Sequence, residues 1–167
     1  MRKTIALLLA AIPIAASAMD ITPGPASLKW GPAPPGLPPG AQISVLSGDP
    51  GSSGPYVLRA KMPSGYTVPP HTHPTDENVT VISGTLHFAM GDKLDKSKGD
   101  AIKVGGFFRA EKGMQHYAWS TEPTVIQVHG IGPFDITYVN PADDPRNKPS
   151  AQATSPATSG SSTKMKK

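Results

Sequence analysis

Residues 65–84 read GYTVPPHTHPTDENVTVISG, and their reading decides the fold and the chemistry of this chain. His71, His73 and Glu77 lie between two glycines, Gly65 and Gly84, and a fourth candidate ligand, His116, follows downstream in EKGMQHYAW. Three imidazoles and one carboxylate form a coordination set suited to a first-row transition metal. On an extended strand alternate side chains share a face, so His71 and His73, at i and i+2, project to the same side and can grip one ion. Pro74 interrupts regular pairing and Thr75 with Asp76 predicts a turn, so Glu77 returns from a neighbouring segment. A tight turn at Gly113 places His116 on another strand, from which it is expected to close the site from the opposite wall. Four ligands leave one or two positions of an octahedral ion open for water, dioxygen or a chelating substrate.

The pattern of Gly65, five residues, His71-Thr72-His73, three residues, Glu77, six residues and Gly84 resembles the complete first motif of the cupin superfamily. The second motif is matched by Gly105, five residues, Glu111-Lys112-Gly113, two residues, His116, three residues and Ser120, with Glu111 where the family usually has proline and Ser120 where it usually has asparagine. These departures touch turn rigidity and strand capping and leave the metal histidine in place. A chain with 5 histidines and 17 glycines meets the first motif by accident with a probability on the order of one in ten thousand or less. The resemblance covers roughly residues 37–145, and the lead-in LPPGAQISVLSGDPGSSGPYVLRAKMPSGY looks like that of small secreted bacterial cupins. It implies an all-β fold, a double-stranded β-helix or jelly-roll barrel, holding one divalent ion through His71, His73, Glu77 and His116. Iron, manganese, nickel, copper and zinc all accept this donor set, so the ligands do not select the metal.

Strand signals run through the same region. Segments 42–46, 56–62, 78–82, 85–90, 101–104, 115–119, 124–129 and 134–139 are apolar or β-branched and bounded by Gly, Pro, Asp or Ser, a rhythm that suggests a double-sheet jelly roll. Only 92–98 invites a helix, with a charged loop as the equal alternative. Parity separates further polar residues. His87 opposes Leu86, Phe88 and Met90, which places it outside the metal cavity. Gln127 and His129 share a face with Val125, opposite Ile126 and Val128. If that face looks into the barrel, both hydrogen-bond a ligand or a metal-bound water. His129 and Gln127 are therefore candidate catalytic groups, and resemblance to dioxygenase cupins adds Glu77, which in that family can exchange between ligand and base; none of them is a convincing separate general acid or base. Tyr117 and Trp119 are expected to pack between elements; Tyr66, Phe107 and Phe108 belong to core or pocket wall.

Outside the barrel, composition divides the chain. Arg2 and Lys3 precede an apolar run to Ala16, and Ala16-Ser17-Ala18 supplies a cleavage site, so residues 1–18 read as a secretory signal peptide and the mature chain as periplasmic or secreted. No cysteine is present, hence neither a lipid attachment site nor a disulfide framework. Residues 19–40 are proline-rich and predict an extended, flexible arm that lies on the barrel or is partly mobile. Residues 41–140 suit one core. Residues 141–167 lack apolar periodicity and read as a disordered tail. The formal charge of +4 collects in the leader and tail, and the barrel region shows no basic patch that would argue for nucleic acid. The expected partner is a small molecule, with no membrane anchor after cleavage; the cupin resemblance implies that a homodimer, if formed, uses sheet edges or swapped arms, a purpose the proline-rich segment 21–40 could serve.

Two function classes meet these observations. One is a mononuclear metalloenzyme acting on a small oxygenated molecule by dioxygen insertion, decarboxylation or isomerisation. The other is a metal-dependent binding or sensing module without turnover, since one scaffold hosts both.

Overall fold

The computed structural model describes residues 21, 22 and 24–148. Eleven strands make two antiparallel sheets and, among the described residues, no α-helix occurs. The strands are β1 (Gly31–Pro32), β2 (Gln42–Ser47), β3 (Gly54–Met62), β4 (Thr67–Thr72), β5 (Glu77–Ser83), β6 (Thr85–Met90), β7 (Asp100–Lys103), β8 (Phe107–Ala110), β9 (His116–Ser120), β10 (Thr124–Gly132) and β11 (Thr137–Tyr138). One sheet runs β1-β2-β3-β10-β5-β8 and the other β11-β4-β9-β6-β7. This is the jelly roll the strand rhythm predicts.

Period-two burial builds the core. In β3, Tyr56, Leu58, Ala60 and Met62 are buried while the residues between them are half-buried. Facing them in register on β10 are Val128 and Ile126, which pair in turn with Val79 and Val81 of β5. The second sheet contributes Val68 and Leu86, and Tyr138 of β11 closes one end. Each fully buried Val or Leu stabilises by roughly 1.5–3 kcal/mol, so these facing rows hold the two sheets together around the cavity.

The four motif glycines Gly65, Gly84, Gly105 and Gly113 all have positive φ, between 74° and 81°. Gly84 is the most demanding, because a Cβ there would lie 2.5 Å from the Pro123 carbonyl oxygen. No other residue type turns from β5 into β6 without displacing backbone.

Several expectations need adjustment. The segment 92–98 is a loop, and its work is to cover the outer face of β9: Tyr117 donates its hydroxyl to the Asp95 carbonyl at 2.9 Å, and Gly99 lies flat against the Trp119 ring. Residues 107–110 and 67–72 are strands absent from the sequence-based set. Pro69 and Pro70 sit where the β4–β9 register shifts, between Val68 and His71, so neither has to supply a ladder donor. Part of the arm is held against the barrel, with Tyr66 and Tyr138 donating their hydroxyls to the carbonyls of Pro38 and Gly36 at 2.7 and 2.8 Å.

The tail, read as disordered from residue 141, instead begins with two 3-10 turns at Pro141–Asp143 and Pro145–Asn147. Polar anchoring replaces the missing apolar pattern there: Arg146 pairs with Asp144 at 2.8 Å and Asp135 at 3.3 Å and donates to the Ile136 carbonyl at 2.9 Å. The rest of the tail, the signal-peptide reading of residues 1–18, and residues 19 and 20 lie outside the described residues.

Candidate metal centre

His71 and His116 face each other directly across the β4–β9 ladder. The bulge that absorbs Pro69 and Pro70 brings His71 into this register, and His73, just beyond the end of β4, is held by a hydrogen bond between its Nδ1 and the Asp135 carbonyl at 2.7 Å. His116 is therefore a same-sheet neighbour of His71, which corrects the expectation that it closes the site from the opposite wall. Glu77 does that instead, entering from the first residue of β5 in the other sheet.

All three imidazoles are buried, 4%, 6% and 2% exposed for His71, His73 and His116. Each Nδ1 sits against a backbone carbonyl: Pro69 at 2.6 Å, Asp135 at 2.7 Å and Met114 at 2.9 Å. A neutral ring donating from Nδ1 presents an unprotonated Nε2, the state a metal requires. The Nε2 atoms of His73 and His116 are buried with no hydrogen-bond partner. Such atoms cost about 1–3 kcal/mol each. Glu77 Oε2 lies 3.6 Å from His73 Nε2 and 3.5 Å from His116 Nε2, and the ligand atoms of the three histidines fall within 4.8 Å of one another. Donors each about 2.1 Å from a common ion stand roughly 3–4 Å apart, so the residues fit a single divalent metal.

Electrostatics agree. Burial pushes the His71 ring down to about 3, with His116 and His73 adding to the effect against the hydrogen bond to Pro69 and the Glu77 carboxylate. Burial lowers His73 too. For Glu77 burial acts upward, but the adjoining His116 ring and the neighbouring His73 and His71 outweigh it, and its carboxyl stays below the ordinary range. The neutral His71 and His73 rings beside an ionised Glu77 carboxylate are what a cation binds best.

Aromatic side chains brace this cluster. Phe134 stacks on His73 at 4.5 Å, and Phe88 lies 5.3 Å from His116 and 4.1 Å from Phe108. Phe88, Phe108 and Phe134 also line a cavity of about 720 Å³ that has the four candidate ligands on its wall. The sequence reading left Phe107 and Phe108 undivided between core and wall; Phe108 lines the cavity and Phe107 is 56% exposed. Phe134 was not singled out beforehand, and its only signal was a place in the last predicted strand.

Gln127 and His129 do not join the site. On β10 it is Ile126 and Val128 that face the cavity. Gln127 points to the outer face, where its Oε1 accepts from Arg59 Nε at 3.2 Å. His129 shares that face. Two β-branched side chains gain more from the interior than a half-buried amide and imidazole would, and this sets the strand's orientation. His87 is also outside, stacked on Trp119 at 5.0 Å. Of the family-motif departures, Ser120 donates its hydroxyl to the Pro63 carbonyl at 2.7 Å and Glu111 pairs with Arg109 at 2.6 Å, both away from the ligands.

A two-sheet jelly roll carrying a His3Glu cluster on its inner wall defines a cupin. Within that superfamily, a profile of the ChrR cupin-like domain matches residues 19–135, and the chain belongs to that family. Solved structures agree on the fold. A candidate acetylacetone dioxygenase from Methylibium petroleiphilum PM1 superposes with a TM-score of 0.58 at 16% identity, covering 79% of this chain and 89% of that one. An RmlC-like cupin from Shewanella frigidimarina NCIMB 400 gives 0.50 at 12% identity, covering 67% and 86%. The DMSP lyase DddQ from Ruegeria pomeroyi DSS-3 gives 0.50 at 21% identity, covering 64% and 57%. Curated protein sequences yield no significant match.

Proposed function

We propose that this protein is an exported mononuclear metal-binding cupin that acts on a small oxygenated molecule, with His71, His73, Glu77 and His116 holding one divalent transition ion. The observation that carries the reading is the pair of buried, unpartnered Nε2 atoms on His73 and His116, aimed at the same point as Glu77 and adjoining a large cavity. A fold does not keep such atoms without a return. When bound, the ion would supply Lewis acidity and a template for a chelating oxygen group. The chain's own contribution is to fix the three rings by their carbonyl bonds, to supply one carboxylate, and to keep water from the reacting centre with Phe88, Phe108 and Phe134. The A-x-A leader supports export.

Catalysis of dioxygenase, decarboxylase or isomerase type is favoured by the open cavity against the ligands. A non-catalytic binding or sensing module of the cell envelope is favoured by a different observation: among the described residues, the carboxylates lining the cavity besides Glu77 are Asp49 and Asp135, and each already accepts hydrogen bonds from nearby backbone or side chains. Turnover experiments separate the two. Protein reconstituted in turn with iron(II), manganese(II), nickel(II), copper(II) and zinc(II) is assayed for oxygen uptake and carbon dioxide release with hydroxy acids, dicarbonyls and flavonols. Metal-dependent turnover supports the enzyme; stoichiometric metal and ligand binding without turnover in every case supports the module.

A further inference from the structure

The cavity has one polar pole and is otherwise nearly all carbon. Leu58, Val79, Ile126 and Val128, on the sheet that carries Glu77 and not the one that carries His71 and His116, line the cavity, and the arm adds Leu37 to the lining. Polar groups elsewhere on the lining are already engaged. Tyr66 gives its hydroxyl to the Pro38 carbonyl, and Asp49 accepts from Gly51 N and Ser52 Oγ at 2.9 and 2.7 Å. Arg146, the one cationic side chain among the described lining residues, spends its guanidinium on Asp144, Asp135 and the Ile136 carbonyl.

Charge counting then defines the guest. Three neutral imidazoles and one carboxylate around a divalent ion leave a residual charge of about +1, which in an apolar cavity is costly until an anion neutralises it. A single anionic group does so. A second one would be stranded among aliphatic side chains with no free cation among the described lining residues to meet it, and a polyhydroxylated molecule would find few hydrogen-bond partners on a lining that is mostly carbon.

We infer that the ligand is a monoanionic, bidentate oxygen chelator carrying a neutral apolar body, with its head at His71, His73, Glu77 and His116 and its body against Val128, Ile126 and Leu37. This rests on the metal reading above and names the ligand class of the same site. Body length governs affinity, because each methylene buried against that wall tightens binding by about fourfold.

The test uses cobalt(II)-loaded protein whose metal content is measured first, titrated with glycolate, 2-hydroxybutanoate, 2-hydroxyhexanoate and 2-hydroxyoctanoate, and with malate as the dianionic counterpart, following the cobalt absorption bands and the heat of binding. Affinity is expected to climb by about fourfold per methylene, and malate to bind at least tenfold more weakly than 2-hydroxybutanoate. Leu37→Ala, which shortens the apolar wall on the half-buried arm, is expected to lower the gain in affinity per methylene for the longer members of the series. Loaded protein whose affinity is indifferent to chain length, or which holds malate as tightly as 2-hydroxybutanoate, overturns this inference and leaves the metal reading standing. Protein that takes up no cobalt overturns both.

Discussion

In metal-free protein burial favours the neutral form of His71 and His73, and mild acid works against that. The His71 ring is held at about 3 in the folded chain against an ordinary value of 6.5, chiefly by burial. Below pH 6.5 the unfolded chain therefore binds a proton that the folded chain refuses. The contribution of this residue to stability is complete above about 6.5 and is lost as pH falls toward 3, at up to about 1.4 kcal/mol per pH unit. Between pH 6.5 and 5 the loss from His71 alone is about 2 kcal/mol, a sizeable part of the roughly 5–15 kcal/mol that holds a domain together. His73 is lowered in the same direction and adds to the slope. Urea unfolding of chelator-stripped protein at pH 7.5, 6.5, 5.5 and 5.0 is expected to show a falling midpoint. His71→Leu removes one titrating group, and its stability should fall less steeply by close to one proton. A midpoint independent of pH across this interval, or an identical slope in the variant, would refute the reasoning.

Two further changes probe the scaffold. Gly84→Ala forces a Cβ against the Pro123 carbonyl at a φ of 74° and should cost at least 1–2 kcal/mol, seen as a lower melting temperature with far-ultraviolet circular dichroism still β-rich. Tyr138→Phe removes the bond to the Gly36 carbonyl at 2.8 Å and should cost about 1–2 kcal/mol while exposing residues 31–40 to faster proteolysis than the barrel strands.

Much of the site was legible because its information is local. Parity puts His71 and His73 together, the turn at Pro74, Thr75 and Asp76 returns Glu77 to them, and Gly113 marks the turn before His116. What alternation along one strand does not carry is which neighbour that strand meets. His116 was expected across the barrel and lies beside His71, since the β4–β9 pairing links residues far apart in sequence. The same holds for Gln127 and His129, whose outward orientation follows from Ile126 and Val128 filling the space between β3 and β5. Strand β4 was hidden by two prolines that a bulge accommodates, and β8 by its brevity after Gly105 and Gly106. Residues 141–148 gave no apolar signal because Arg146 anchors them through ion pairs, which composition alone does not reveal.

The central claim is that four side chains hold one ion, and elemental analysis tests it most directly. Protein purified without a histidine tag from its native compartment is expected to contain about one equivalent of iron, manganese, nickel, copper or zinc. His71→Ala combined with His73→Ala is expected to contain none while keeping its β-sheet circular dichroism. Native protein without metal that takes up none on reconstitution, or a folded double variant that keeps a full equivalent, would contradict the account.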